Sequence, residues 1–212
     1  MMKIGVILFP GFQITDAFGP YDTFYFANNA MRSRGQPGIS VCLLAETCDP
    51  TTSRPHNIEG AFGTEVLPSY SFVDAPKDID VLLVPGGQGV RATESSQAAV
   101  DFVKARYPTL KYLLTVCTGA VLAARAGVLD GKRATSNKRS FTWVVSQSDK
   151  VTWIREARWV IDGNIYTSSG VSAGIDMTFG FLRDIFGDEI ADAAARNMEY
   201  SPNMDANADP FC

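Results

Sequence analysis

The run Leu113-Leu114-Thr115-Val116-Cys117-Thr118-Gly119-Ala120 carries an apolar strand straight into a cysteine and then into a helix of small residues. A strand without polar alternation suits the interior of a parallel sheet covered on both faces. The abrupt change of period predicts a nucleophile elbow, a tight strand-to-helix turn that lifts one side chain out of the sheet. Gly119 and Ala120 are small enough for the close packing such a turn needs, and the helix runs over 119–127 until Gly127 stops it. Cys117 is therefore the candidate nucleophile, at the carboxyl end of a strand, where open α/β sheets place ligands. The helix amino terminus beyond it favours thiolate over thiol, so an ionised, accessible sulfur is expected. The bland alternative is an inert buried cysteine in a tight turn.

Working outward, short apolar runs over 3–9, 39–45, 81–84 and 112–116 predict buried parallel strands. Helical spacing of apolar residues over 16–31 and 97–107, with a final helical region from about Ser172 through 191–198, fills the intervals. Alternating strand and helix give an α/β sandwich with a mostly parallel central sheet. Residues 151–156 and 159–166 predict antiparallel strands added at an edge, the second segment turning at Asp162-Gly163-Asn164. Without an internal repeat or a linker, residues 1–212 read as one domain whose polar tail, 201–212, lies on a neighbouring surface or frays. The first apolar run is short and lacks a small-x-small cleavage site, so it is a core strand rather than a signal peptide. No segment reaches the roughly 18 apolar residues of a membrane span.

The 212 residues, 46% of them apolar, suffice for a sizeable core. Nineteen Lys and Arg against 23 Asp and Glu leave no basic surplus for a phosphate backbone or an anionic membrane, so neither nucleic acid nor membrane is an expected partner. Four cysteines without C-x-x-C spacing argue against zinc and against a disulfide framework, and for a reducing, cytoplasmic compartment. The single histidine, His56, lies in the turn-forming stretch Ser53-Arg54-Pro55-His56-Asn57 and is expected on an exposed loop. That removes most chemistry built on an imidazole.

Two further segments converge on the elbow. Val81-Leu82-Leu83-Val84-Pro85-Gly86-Gly87-Gln88-Gly89 is a buried strand ending in glycines, which let backbone approach a ligand closely. It lacks the spacing of a phosphate loop. The amides of Gly87 and Thr118 are the candidate oxyanion donors, an ordinary glycine turn being the alternative. After the first strand, Thr15-Asp16-Ala17-Phe18-Gly19-Pro20 places Asp16 at a helix start. It is either a cap or a carboxyl facing the thiol, its pKa raised by desolvation and by the nearby sulfur so that it can hold a proton near neutrality. Asp176 is assigned to helix-start chemistry, and Trp143, Trp153 and Trp159 to packing or a dimer surface.

Strand-Pro-Gly-Gly-x-Gly, the elbow Val116-Cys117-Thr118-Gly119-Ala120, the run 126–135 and Gly170-Val171-Ser172-Ala173-Gly174-Ile175-Asp176 together resemble the ThiJ/PfpI superfamily from Lys3 to about Tyr200. Cys-Thr-Gly combined with Thr-Asp-x-x-Gly-Pro is most similar to its isonitrile (isocyanide) hydratase branch. The resemblance implies a flavodoxin-like three-layer sandwich, a homodimer, no cofactor and no metal. It also implies a small-molecule substrate, an isocyanide hydrated to a formamide, with Cys117 as nucleophile and Asp16 as its acid/base partner. Where many members carry a histidine after the elbow helix, this chain has Ala134-Thr135-Ser136-Asn137-Lys138, so a Cys-His dyad is unavailable. The chain ends soon after its last helix with no basic module, so direct DNA binding is not expected. A peroxide-sensing cysteine and another cofactor-free cysteine reaction, such as α-oxoaldehyde hydration, are the competing functions.

Overall fold

The computed structural model describes residues 1–56 and 58–212. Among them are eleven strands: β1 (Met2–Ile7), β2 (Ile39–Ala45), β3 (Thr51–Thr52), β4 (Glu65–Val66), β5 (Tyr70–Ser71), β6 (Val81–Val84), β7 (Tyr112–Thr115), β8 (Arg133–Ala134), β9 (Thr152–Trp153), β10 (Trp159–Asp162) and β11 (Ile165–Ser168). Six α-helices accompany them: α1 (Ile14–Arg32), α2 (Thr93–Arg106), α3 (Gly119–Arg125), α4 (Phe141–Val145), α5 (Ala173–Phe186) and α6 (Asp188–Met198). Among the described residues, no helix is long and apolar enough to cross a membrane.

Seven strands form one sheet in the order β10-β11-β7-β6-β1-β2-β5, and every pairing in it is parallel except β10 with β11. The reason lies in the residues: β6 is fully buried along its length, and Ile4, Val6 and Ile7 of β1 are equally sealed, so both faces must be covered. Helices α1, α5 and α6 pack together as one layer, and α2 packs on α3 as another. The three-layer α/β sandwich is thus as the alternating apolar runs predict.

The late strands differ from the expectation in part. The hairpin β10–β11 turns at Gly163, whose positive φ suits glycine, and β11 joins β7 in parallel, so only β10 is the edge. The segment 151–156 is not an antiparallel member of that sheet. Its strand β9 pairs in parallel with β8 in a small sheet of its own, held there because the Thr152 and Ile154 amides donate to carbonyls of the β8 segment.

Asp176 departs from a helix-start role. Lying in the first turn of buried α5, it accepts from Arg158 Nη2 at 2.5 Å and Nε at 2.7 Å through one oxygen. Its other oxygen accepts from the Tyr200 hydroxyl at 2.7 Å and the Asn203 amide at 3.1 Å. These bonds tie the tail down, so it lies on the molecule instead of fraying; Ala206 then accepts from the Arg158 amide, and the Asp209 side chain is completely covered. Asp176→Asn would strand a buried guanidinium, so we expect a loss of about 3–5 kcal/mol in urea unfolding and rapid proteolysis beyond Tyr200. An unchanged midpoint and an intact tail would contradict this role.

Candidate active site

The sheet reverses direction of winding at β1: β2 lies on one side of it, β6 and β7 on the other. Ligands of open α/β sheets collect at the carboxyl ends of strands beside such a reversal. Asp16 follows β1, Gly86 and Gly87 follow β6, and Cys117 follows β7. Three consecutive neighbours in the sheet therefore deliver the candidate groups to one place.

Cys117 has φ 56°, a left-handed conformation that a non-glycine residue adopts at a cost of roughly 1–3 kcal/mol. The surroundings enforce it. The Val116 amide donates to Val84 of β6 at 3.0 Å, and the Ser136 hydroxyl donates to the Cys117 carbonyl at 2.6 Å, fixing the chain on both sides of the sulfur. Helix α3 begins at Gly119, where a Cβ would be driven into the Val84 carbonyl, so glycine is required for the elbow to close on β6.

Asp16 is 0% exposed and is not a helix cap. Helix α1 starts two residues earlier at Ile14, and the Asp16 carboxyl points instead across the strand ends, where Oδ2 accepts from the Gly86 amide at 3.0 Å. Oδ1 is buried with no hydrogen-bond partner among the described residues, and the Cys117 thiol stands beside this carboxyl. Desolvation raises the Asp16 pKa to about 7, against the lowering effects of the Gly86 amide and the thiol contact. The upward shift is the one expected, but its cause is burial alone; the sulfur acts in the opposite sense.

The thiol itself departs from expectation. Cys117 is only 7% exposed, and burial pushes its pKa well above the ordinary thiol value. Repulsion from the Asp16 carboxylate adds to the rise, while the Thr118 amide, the Asn137 side chain and the Thr118 hydroxyl oppose it without overcoming it. A helix of seven residues has too little dipole at its amino end to offset that desolvation. The sulfur is held as a thiol, not a thiolate.

The two oxyanion candidates fare differently. The Thr118 amide faces the sulfur. The Gly87 amide is engaged, donating to Thr118 Oγ1 at 3.1 Å, in a backbone of φ 131° that only glycine adopts comfortably. Asn137 was not anticipated. Its Oδ1 accepts from the Ser140 amide at 3.0 Å, which turns the amide nitrogen toward Cys117. The signal for it was the position where a histidine is missing: the same loop supplies a donor instead of a base. His56 is exposed between β3 and β4 and borders a separate cavity with Pro10 and Ser95, so no imidazole joins the site.

A buried acid titrating near 7 makes stability depend on pH. The folded state binds the Asp16 proton more tightly than the unfolded chain, whose carboxyl titrates near 3.8. The associated stabilisation is complete below that value and is lost as pH rises through about 7, a swing on the order of 4 kcal/mol. Asp16→Asn does not titrate, so its stability relative to wild type should grow steadily between pH 4 and pH 8 in chemical denaturation. A constant difference across that range would contradict the raised pKa.

Comparison with known proteins meets the same residues. The pattern defining the DJ-1/PfpI family matches residues 2–184. Isonitrile hydratase of Pseudomonas putida is 31% identical over 205 residues, covering 95% of this chain and 79% of that protein. A deglycase of Pyrococcus abyssi is 30% identical over 112 residues, covering 52% of this chain and 66% of that protein. The crystal structure of a ThiJ/PfpI family protein from Pseudomonas syringae superposes with a TM-score of 0.77 at 27% identity, over 95% of this chain and 76% of the other. With the strand-end glycines, the elbow cysteine and the sheet order all falling inside the matched span, this chain belongs to the DJ-1/PfpI family.

Proposed function

We propose that the chain is a cofactor-free hydro-lyase that adds water to an isocyanide, giving an N-substituted formamide, with Cys117 as nucleophile and Asp16 as the group that moves the proton. The observation that carries this reading is the bare Asp16 Oδ1, buried beside a protonated thiol. A carboxyl titrating near 7 is ionised often enough to accept a thiol proton and acidic enough to give it back. The similarity to isonitrile hydratase supports the choice of electrophile.

In this mechanism sulfur bonds to the terminal carbon of R–N≡C while the S–H proton passes to the Asp16 carboxylate. Asp16 then delivers that proton to the same carbon, leaving the thioimidate R–N=CH–S–Cys117. Water adds to the thioimidate carbon, the C–S bond breaks, and sulfur recovers a proton as R–NH–CHO departs. The Thr118 amide and the Asn137 side chain stabilise charge near the sulfur in the addition step. The Gly87 amide joins them once the Thr118 hydroxyl turns away from it.

The chain is read further as a homodimer in a reducing cytoplasm, acting on a small molecule and on neither nucleic acid nor membrane. Residues 1–212 are read as one catalytic domain. A peroxide sensor fits less well, since oxidation follows thiolate character and exposure, and Cys117 has neither. The deglycase similarity favours a second reading in which the same thiol attacks an α-oxoaldehyde.

Incubation with alkyl and aryl isocyanides, followed by formamide analysis, separates the two, with methylglyoxal consumption as the second arm. Turnover of isocyanide is expected from wild type and none from Cys117→Ala; consumption of methylglyoxal alone would overturn the isocyanide reading. Asp16→Asn is expected to lower kcat/KM by about 100-fold or more. Since the ionised carboxylate is the base, wild-type kcat/KM should rise with pH through a midpoint near 7 and that limb should vanish in Asp16→Asn. A profile falling across the same interval would contradict the assigned direction of proton transfer.

A further inference from the structure

Behind Asn137 lies a cavity of 620 Å³ that the proposed mechanism leaves unused. Lys138, Arg139, Arg155 and Arg158 line it, together with Asp209 and Phe211 of the tail. Asn137 belongs to this wall and to the elbow at once, so a molecule in the cavity lies one side chain away from the Cys117 sulfur.

The charges in this cavity do not balance. Asp176 neutralises Arg158. Among the described residues, neither Arg139 nor Arg155 takes part in an ion pair. The remaining carboxylate, Asp209, has a side chain with 0% exposure, yet its Oδ2 has no hydrogen-bond partner. It stands 3.7 Å from Lys138 Nζ, too far for a hydrogen bond. Lys138 has no donor left to offer: its three go to Thr135 Oγ1 at 2.8 Å, the Ala157 carbonyl at 2.7 Å and the Ser136 carbonyl at 3.3 Å. Asp209 is thus drawn in by charge alone, on a segment close to the chain end. A buried acceptor left unsatisfied in this way is costly, so Asp209 is held weakly and regains hydrogen bonds from water once it is displaced.

We propose that this cavity is a subsite for the carboxylate of a small substrate, with the Asp209 side chain as a competing charge at its Lys138 end in the free protein. The ligand carboxylate displaces Asp209 and takes the planar, two-point contacts that guanidinium groups make with carboxylates, from Arg139 and Arg155, near the Lys138 charge. Its apolar body lies against Phe211 and Val171. The inference deepens the reading of the elbow as a reaction centre and rests on it for the reacting group, so the substrate class becomes an isocyanide that carries a carboxylate. The anion subsite itself stands on the cavity's own side chains.

Titration calorimetry on the intact chain tests this with benzoate as probe and benzamide as its neutral counterpart. Wild type is expected to bind benzoate and not benzamide. Asp209→Asn, which removes the competing charge, should tighten benzoate binding by about tenfold, and Arg139→Gln with Arg155→Gln should weaken it by at least about tenfold. Equal binding of benzoate and benzamide, or a benzoate affinity unaffected by Asp209→Asn, would overturn the subsite. Benzoate binding that follows this pattern in a protein without isocyanide turnover sinks the reaction and upholds the subsite; turnover of neutral isocyanides without any benzoate binding does the reverse.

Discussion

A single carboxyl group buried at the seam between strands is the constraint on which the site depends. Asp16 is removed from water where only the Gly86 amide and a thiol face it, and the cost of ionising it there sets its titration near 7. The arrangement leaves no space for side chains on the opposing backbone. A Cβ on Gly86 would stand 2.6 Å from the Thr118 amide nitrogen and 3.0 Å from Asp16 Oδ2, so only glycine lets β6, the elbow and α1 approach this closely. The same closeness strips solvent from Cys117 and keeps it protonated.

The fold gives these groups their positions through neighbours in the sheet. Because β7, β6 and β1 are adjacent and parallel, the residues that follow each of them are brought within reach whatever their separation in sequence. The layer of α1, α5 and α6 serves a second purpose. Asp176 in α5 anchors Arg158 and the tail, and the tail in turn closes the cationic cavity behind Asn137. The elbow and the cavity share one polar side chain, Asn137, while α5, which carries Asp176 of the buried ion pair, packs through Gly174 on Val116 beside the elbow.

Much of this was legible in the sequence for a physical reason: a parallel strand sealed on both faces must be apolar throughout, so 81–84 announces its limits directly. The elbow was legible because a cysteine between a strand and a Gly-Ala helix has few other uses. Asp16 was visible as a pair of alternatives, and burial decided between them. The protonation of Cys117 was not visible, since nothing in a string of residues reports how much water reaches a sulfur. Asn137 and the Asp176–Arg158 pair escaped for a related reason. Polar residues on irregular segments have no period, and their partners are chosen only when distant strands and the tail come together. The parallel pairing of β8 with β9 was likewise hidden, as two-residue strands carry too few side chains to show which neighbour they meet.

The chemistry of the elbow depends on where one proton resides, and carbon NMR of aspartate-labelled protein reads that directly. One carboxyl signal, absent from Asp16→Asn, should titrate with a midpoint near 7 while Cys117 remains a thiol. If the signal lost in Asp16→Asn instead titrates near 4, in the ordinary carboxylate range, the paired proton transfer at this elbow does not exist.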